Sequence, residues 1–298
     1  MTLRHFNIFL CVCDEGNMSA AAAKLHIAQP SVSQSIAELE GHYNVKLFER
    51  LGRKLFITTA GQELLTYARH IVNLSKEAES TMREIYNHGV IRVGASVTIG
   101  TCIFSDIVGA FRQDNPNVKF SAYVNNTRII EEMLLSDLLD IGLVEGKIHS
   151  PGIICRPFMD DELVLVSSTS HPFAQKNKIT SGELNTLEFI VREEGSGTRE
   201  LFESVMTSIG VNWQMAGVYN NSEAIKNNVA AGLGVSVMSR IAVQRECEMN
   251  ELAIIDIENV NFKRQFHIVY HKNKYISPIL ASFIKVCLAY HAFISQDQ

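Results

Sequence analysis

The spacing of hydrophobic residues divides the chain into a helical part and an α/β part. Near the N-terminus four apolar residues recur at intervals of four, three and four: Val32, Ile36, Leu39 and Tyr43. This period places side chains on one face of a helix. From Val90 onward, short apolar runs alternate with helical segments, which is the pattern of parallel βα units. The pattern predicts a small helical domain followed by a larger α/β domain.

Two short helices joined by a tight turn are predicted around the apolar stripe. Ser19 is expected to cap the first helix, and Pro30 fits the first turn of the second, where its missing N–H costs nothing. The face opposite the stripe carries Pro30, Gln34, Ala37 and Glu38. Such a face can place donors and acceptors against base edges in a major groove. We interpret the pair as a helix-turn-helix, although similar Ala-rich pairs occur in helical domains without a DNA partner.

A basic hairpin is predicted directly after these helices. Residues 47–50 and 55–58 are two short β-prone runs, and Leu51-Gly52-Arg53-Lys54 lies between them. The cationic side chains of Arg50, Arg53 and Lys54 are expected to reach phosphate or the minor groove. A hairpin beside a helix-turn-helix is a wing.

Residues 1–61 resemble the winged helix-turn-helix of the LysR-type transcriptional regulators. The resemblance rests on the order of the helices, on Gln29-Pro30 at the start of the second, on Leu47-Phe48-Glu49-Arg50, and on Thr58-Thr59-Ala60-Gly61. It implies that double-stranded DNA is contacted by Gln29, Pro30, Ser31, Ser33, Gln34, Arg50 and Arg53. Gln34 stands where many members carry arginine, so the resemblance leaves its base preference open.

The distribution of charge predicts that the protein acts as an oligomer. The net charge is −5, but residues 1–58 carry six basic and five acidic residues and are therefore +1, which leaves −6 on the remainder. Phosphate contacts supply much of the affinity for DNA, so a single copy should bind weakly. We expect two or more copies on one DNA.

A long helix is predicted from Thr59, with Thr59 and Gln62 as a capping box. Small and apolar residues repeat along it at alternating spacings of four and three: Leu64, Ala68, Ile71, Ser75, Ala78, Met82 and Ile85. This is the period of a coiled-coil seam, and His88-Gly89 ends it. We interpret the helix as a dimerisation helix, although a helix that packs on its own domain can show the same stripe.

Hydroxyl side chains follow the predicted strands of the α/β part. Ser96 and Thr98 come after the first strand, Thr127 precedes a helix, and Ser196-Gly197-Thr198 opens another helix. Ligands of open α/β sheets bind outside the carboxyl ends of the strands. Any one of these hydroxyls can be an ordinary helix cap. Their recurrence at equivalent strand ends predicts a binding site.

The LysR resemblance extends to this region. It implies a fold similar to periplasmic binding proteins, in which crossover strands join two α/β lobes and an effector binds between them. The effector contacts it implies are Ser96, Thr98, Thr127, Glu145, Ser196, Gly197 and Thr198. Because a helix N-terminus attracts anions, we expect a small anionic metabolite. If Glu145 lines the cleft, that metabolite should also carry an amine or a hydroxyl.

The predicted architecture is therefore α/β, with an N-terminal winged helix-turn-helix, a long dimerisation helix and a C-terminal two-lobed effector domain. The expected bounds are 1–58, 59–88 and 90–298, with lobe I at about 90–161 and 267–298 and lobe II at about 162–266. The expected state is a homodimer or homotetramer. No run approaches about 18 apolar residues and no signal peptide is found, so we predict a cytoplasmic protein without a membrane partner.

Other function classes find little support. Neither Gly195-Ser196-Gly197 nor Gly232-Leu233-Gly234 continues to the third glycine of a dinucleotide fingerprint, and no Gly-x-Ser-x-Gly elbow exists. The six cysteines form no Cys-x-x-Cys, and His267 and His271 bracket a predicted strand. We therefore expect no enzyme activity, no cofactor and no metal. The alternative is a stand-alone solute-binding protein with an incidental helical N-terminus.

Overall fold

The computed structural model describes residues 1–51, 54–83, 89–176 and 178–294. The chain forms two compact units. Unit 1 comprises Met1–His88 with the short segments Leu135–Asp137 and Asn273–Tyr275. Unit 2 comprises Gly89–Leu134, Leu138–Lys272 and Ile276–Gln298.

Unit 1 contains a three-helix core and a two-stranded wing. Its elements are α1 (Leu3–Glu15), α2 (Met18–Lys24), α3 (Gln29–Tyr43), β1 (Phe48–Leu51), β2 (Lys54–Ile57) and α4 (Thr59–Arg83). β1 and β2 pair antiparallel. Val32, Ile36 and Leu39 of α3 are buried with Phe9 of α1, as the spacing predicts. Tyr43 is exposed, contrary to the prediction, because it is the last residue of α3, before the left-handed Asn44.

Two predicted helix caps are wrong by one or two residues. Gly16 ends α1 in the left-handed conformation, so the chain is already extended at Asn17. The Asn17 side chain accepts from the backbone N–H of Ala20 at 2.6 Å and caps α2, whereas Ser19 lies within that helix. At the start of α4 the hydroxyl of Thr58, not Thr59, accepts from the backbone N–H of Gly61 at 3.0 Å.

The residues of the predicted seam on α4 do not share one environment: Ala68 is buried, whereas Ile71 and Ala78 are exposed. Ala68 is fully buried in the core of unit 1, because the first half of α4 packs against α1. The apolar residues that point outward are Tyr67, Ile71 and Leu74, with 50%, 39% and 48% of their surface exposed. The exposed Ala78 continues this row. The side chain of Met82 and all of Ile85 lie outside the described residues.

Unit 2 alternates strands and helices. Its first half contains β3 (Val90–Ser96), α5 (Val97–Cys102), α6 (Phe104–Asp114), β4 (Lys119–Asn125), α7 (Thr127–Leu135) and β5 (Ile141–Val144). Then come β6 (Ile153–Ser168), β7 (Glu188–Arg192), α8 (Gly197–Ser208), β8 (Gln214–Tyr219), α9 (Ser222–Ala230), β9 (Ser236–Ser239), α10 (Arg240–Glu248), β10 (Leu252–Ile255), β11 (Phe262–His271) and α11 (Pro278–Ile294). Two short 3-10 helices, Pro172–Gln175 and Ser181–Thr186, lie between β6 and β7.

The sheets confirm the predicted parallel pairing and contain two long antiparallel strands, β6 and β11, in agreement with the crossover strands that the resemblance implies. β3 pairs parallel with β4 and β5, and β7 pairs parallel with β8. β6 and β11 run antiparallel through one sheet of order β10-β6-β11-β5-β3-β4, and β9 also pairs with β6. The sequence pattern predicts one helix over 100–113, whereas the structure has two, α5 and α6, with a break at Ile103. The predicted α/β class is therefore confirmed, whereas α10 and β10 were not predicted.

Two aromatic clusters lie in separate apolar cores of unit 2. Phe111 and Phe283 pack together in one, and Phe189, Phe202 and Trp213 pack in the other. Within the described ranges, no helix combines the length and the apolar character that crossing a membrane needs.

Candidate functional sites

The outer face of α3 is the candidate DNA-binding face of unit 1. Gln29, Pro30 and Gln34 are exposed, and Ser31 and Ser33 are half-buried. Ala28 precedes the helix and supplies no side-chain cap. Pro30 has no N–H, and the N–H of Ser31 donates to the carbonyl of Ala28 at 2.9 Å. Five of the predicted DNA-contacting residues therefore lie together on the first turns of one helix.

Of the two predicted DNA-contacting residues of the wing, the structure describes Arg50. Arg50 is exposed on β1, opposite Leu55 of β2, and its guanidinium lies 3.8 Å from the sulfur of Met18 in α2. The predicted contact Arg53 lies outside the described residues.

An acidic side chain lies on the same face of α3. Glu38 accepts hydrogen bonds from His5 and Gln34. The hydrogen bond from His5, and then that from Gln34, lower the pKa of the Glu38 carboxyl below its usual value. Glu38 is therefore ionised at neutral pH, and the candidate DNA face carries a fixed acceptor.

The candidate effector cleft of unit 2 gathers the predicted residues at the ends of strands. Ser96 ends β3, Glu145 follows β5, and Thr98 and Thr127 lie in the first turns of α5 and α7. Ser196, Gly197 and Thr198 form the start of α8. All seven residues are buried.

Glu145 is the centre of the contacts among them. Its Oε2 atom accepts from the Ser96 hydroxyl at 2.7 Å, and its Oε1 atom lies 3.5 Å from the Thr198 hydroxyl. Thr98 is buried in the first turn of α5, two residues after Ser96. Hydroxyls from the end of β3 and from the start of α8 therefore converge on the Glu145 carboxylate.

Sequence reasoning missed three buried polar residues of the cleft. Nε of Arg264 on β11 donates to Asp161 of β6 at 2.7 Å, and Nη1 donates to Thr198 at 2.9 Å. The Ser239 hydroxyl, at the end of β9, donates to Asp161 at 2.6 Å. The side chains of Arg264 and Asp161 are only 6% and 1% exposed. A buried ion pair in this position holds a guanidinium against the cleft hydroxyls.

Three buried polar atoms of the cleft have no hydrogen-bond partner among the described residues: Nη2 of Arg264, Oγ1 of Thr127 and Oγ of Ser196. All three lie around the place where the backbones of Gly146 and Gly197 meet. A Cβ built on Gly146 would be 2.8 Å from Thr127 Oγ1, Ser196 precedes Gly197, and Arg264 bonds to Thr198. Buried polar groups normally have partners, so these atoms indicate a site for a polar ligand.

The two sides of the cleft touch beside this cluster. The backbone N–H of Arg128 donates to the carbonyl of Gly195 at 3.2 Å, and the Arg128 guanidinium pairs with Glu194 at 3.0 Å. Gly195 adopts a φ of +87°, which glycine tolerates better than other residues. The α7 and α8 ends of the cleft are therefore joined through the backbone.

No metal centre is found in the part of the chain that the structure describes. No three His, Cys, Asp or Glu side chains there come close enough to hold an ion. The chemistry of the cleft is that of hydrogen-bond donors, one guanidinium and two carboxylates.

Family models match both the winged domain and the larger domain of this chain. The family model for the bacterial regulatory helix-turn-helix protein of the lysR family matches residues 3–62, and that for the LysR substrate binding domain matches residues 86–292. The HTH-type transcriptional regulator YeiE of Escherichia coli is 32% identical over 287 residues, which cover 96% of this chain and 97% of YeiE. The HTH-type transcriptional activator CmpR of Synechocystis sp. is 29% identical, with 100% of this chain and 98% of CmpR covered.

A solved structure shares the fold of unit 2. The regulatory domain of Synechocystis CcmR, determined in complex with 2-PG, is 28% identical with a TM-score of 0.64. The match covers 68% of this chain and 97% of that domain.

A winged helix-turn-helix followed by a two-lobed ligand-binding domain defines a transcriptional regulator that carries both domains in one polypeptide, not an enzyme. The chain belongs to the LysR family of transcriptional regulators. The alternative of a stand-alone solute-binding protein is excluded, because the helix-turn-helix is itself a family match.

Proposed function

We propose that this regulator is controlled by a small anionic metabolite that also carries a hydrogen-bond donor, and that this metabolite binds in the cleft of unit 2. The supporting observation is Arg264. Its guanidinium is buried, two of its nitrogens are bonded to Asp161 and Thr198, and Nη2 has no partner among the described residues. An anionic oxygen is the natural partner of such a nitrogen.

The charges of the cleft argue for a monoanion. Arg264 contributes one positive charge, and Asp161 and Glu145 contribute two negative charges when ionised. A dianion would meet a net negative environment in a site of low dielectric. An effector that points an anionic oxygen at Arg264 and a hydroxyl or amine at Glu145 satisfies both groups. The CcmR domain was determined in complex with 2-PG, an anionic metabolite that carries a phosphate and a carboxylate. It supports an anion in the cleft, and the single charge is argued from the cleft residues of this chain alone.

The start of α8 supports the same class of ligand. Ser196 is the N-cap of this 12-residue helix and makes no side-chain cap bond, so the first N–H groups of α8 are available. The positive end of the helix dipole favours negative charge there. In this proposal Ser96, Thr98, Thr127, Glu145, Ser196, Gly197 and Thr198 are the effector-binding residues, and Arg264 joins them.

On the DNA side, α3 would enter the major groove and the wing would contact the backbone of the double helix. Gln29, Pro30, Ser31, Ser33 and Gln34 would meet base edges and phosphates, and Arg50 and Arg53 would meet phosphates or the minor groove. Because a regulator of this kind must reach its DNA, its proposed location is the cytoplasm, and no membrane partner is proposed.

The functional form is proposed to be a homodimer, or a homotetramer built from dimers. The row Tyr67, Ile71, Leu74 and Ala78 on α4 has the alternating spacing of a coiled-coil seam. A second copy would cover these exposed apolar side chains and double the weak charge of the winged domain. The functional divisions would be 1–58, 59–88 and 90–298, with lobe I at about 90–161 and 267–298 and lobe II at about 162–266.

A thermal-shift screen of small metabolites against the full chain tests the effector class. We expect the compounds that raise the melting temperature to carry one anionic group and a hydroxyl or amine. Arg264→Lys keeps a charge beside Asp161 and removes the guanidinium fork, so it should fold and lose these shifts. Stabilisation by cationic or apolar compounds, or shifts that survive in Arg264→Lys, would contradict the proposal.

A further inference from the structure

A chain of hydrogen bonds links the start of α1 to Gln34 in α3. The backbone N–H of Thr2 donates to Nδ1 of His5 at 3.1 Å. Because Nδ1 accepts this bond, the ring proton lies on Nε2, which donates to Oε2 of Glu38 at 2.6 Å. Oε1 of Glu38 accepts a 2.9 Å bond from Nε2 of Gln34. Glu38 is therefore held by α1 and in turn holds the amide of Gln34.

These hydrogen bonds fix which end of the Gln34 amide faces outward. An ionised carboxylate can only accept hydrogen bonds, and only the nitrogen of an amide can donate. The bond to Glu38 therefore requires the Nε2 end of Gln34 to face it. If the amide were turned by 180°, Oε1 would meet a carboxylate oxygen and the bond would be lost. The groups left for DNA are Oε1, an acceptor, and the second hydrogen of Nε2.

These two groups match one base in the major groove. Adenine presents a donor, the N6 amino group, beside an acceptor, N7, and a glutamine amide pairs with both. Guanine presents two acceptors, N7 and O6, so Oε1 of Gln34 would face a lone pair there. A glutamine amide free to rotate could instead direct both its N–H groups at guanine.

We propose that Gln34 reads an adenine in the operator, and that Glu38 and His5 are positioning residues that reject guanine at this site. The inference rests on the proposed entry of α3 into the major groove. It adds the identity of the base and the residues that set it. The discrimination between adenine and guanine should be about 5- to 150-fold, the range that one bidentate pair supplies.

The test is selection of bound DNA from a pool of randomised duplexes by the full chain, followed by sequencing. Wild type, Gln34→Ala, Glu38→Ala and Glu63→Ala are compared. Glu63 is an exposed acidic residue of α4, so Glu63→Ala removes a negative charge from unit 1 without touching α3. Melting temperatures of the four proteins report whether each is folded.

We expect wild type to select adenine at one position of each half-site and Gln34→Ala to lose the preference at that position alone. Glu38→Ala should lower the adenine-to-guanine ratio there by at least about 5-fold, whereas Glu63→Ala should keep it. The inference is overturned, with α3 still the reading helix, if the position lost in Gln34→Ala selects guanine, or if Glu38→Ala leaves the ratio unchanged. If Gln34→Ala alters no position, the proposed contact of α3 fails as well.

Discussion

Gly146 and Gly197 meet backbone to backbone in the cleft of unit 2. A Cβ added to Gly197 would lie 2.2 Å from the Cα atom of Gly146, and one added to Gly146 would lie 2.7 Å from the Cα atom of Gly197. Neither position can accept a side chain without moving the other. The contact brings the start of α8 against the residue after Glu145, and so sets the distance between the carboxylate and the hydroxyls around it.

Gly197→Ala should therefore destabilise unit 2, although alanine is the better helix former by up to about 1 kcal/mol. Overpacking of this kind lowers the free energy of unfolding by about 1–3 kcal/mol. Denaturant unfolding of the full chain measures it. Gly109→Ala in α6 is the matched control, because a Cβ there meets nothing within 4 Å, and it should stabilise. If both variants stabilise the protein equally, the backbone contact does not hold the cleft together.

The cap of α2 gives a second prediction in unit 1. Asn17→Ala removes the acceptor of the Ala20 N–H and should lower the free energy of unfolding by about 1 kcal/mol. Ser19→Ala, two residues further on, changes an exposed helical position and should be neutral or slightly stabilising. Thermal melts of the two variants compare them directly. If Ser19→Ala were the less stable of the two variants, Ser19 and not Asn17 would be the N-cap of α2.

Assembly is tested on the outer face of α4. The double variant Ile71→Glu with Leu74→Lys places charges in the exposed apolar row and should give monomers with reduced DNA affinity. Lys76→Glu, an exposed position on another side of the helix, should leave the oligomer unchanged. Light scattering measures the molar mass of both proteins in solution and so gives their oligomeric states. An intact oligomer in the double variant would move the interface away from this row.

The seam on α4 shows why periodicity located the helix but not its faces. Two rows of small and apolar residues run along it, and the predicted seam takes Ala68 from one row and Ile71 and Ala78 from the other. The row with Ala68 and Val72 packs on α1 in the core of unit 1, while the row with Ile71 and Leu74 is exposed. Which row faces the domain depends on how α4 packs on its own domain, and the spacing alone does not contain that information.

The cleft shows the same limit in another form. Hydroxyls next to helix starts were found because their spacing relative to the strands is local. The alternation of apolar residues predicts strands that start at 163 and 266, whereas β6 and β11 begin at Ile153 and Phe262. Asp161 and Arg264 therefore lie outside the predicted strands, and the sequence does not reveal them. Charged residues at the polar ends of strands resemble loop residues in a sequence. Their pairing, 103 positions apart, follows from the antiparallel register of β6 and β11.

The structure also indicates which hydroxyls can be removed cleanly. Ser96 and Thr198 surround Glu145, so Ser96→Ala with Thr198→Val would strip a buried carboxylate of its donors and destabilise the fold as well as the site. Thr127 Oγ1 and Ser196 Oγ have no partner among the described residues. Replacing them removes no hydrogen bond to the part of the chain that the structure describes.

The most direct measurement is therefore a calorimetric titration of the strongest metabolite from the screen into wild type and into the double variant Thr127→Val with Ser196→Ala. We predict that the free variant is about as stable as wild type, because neither hydroxyl has a hydrogen bond to lose among the described residues. Its affinity for the metabolite should fall at least about tenfold, because two hydrogen bonds to an anion are lost. An affinity equal to that of wild type in a folded variant would contradict it and place the effector elsewhere.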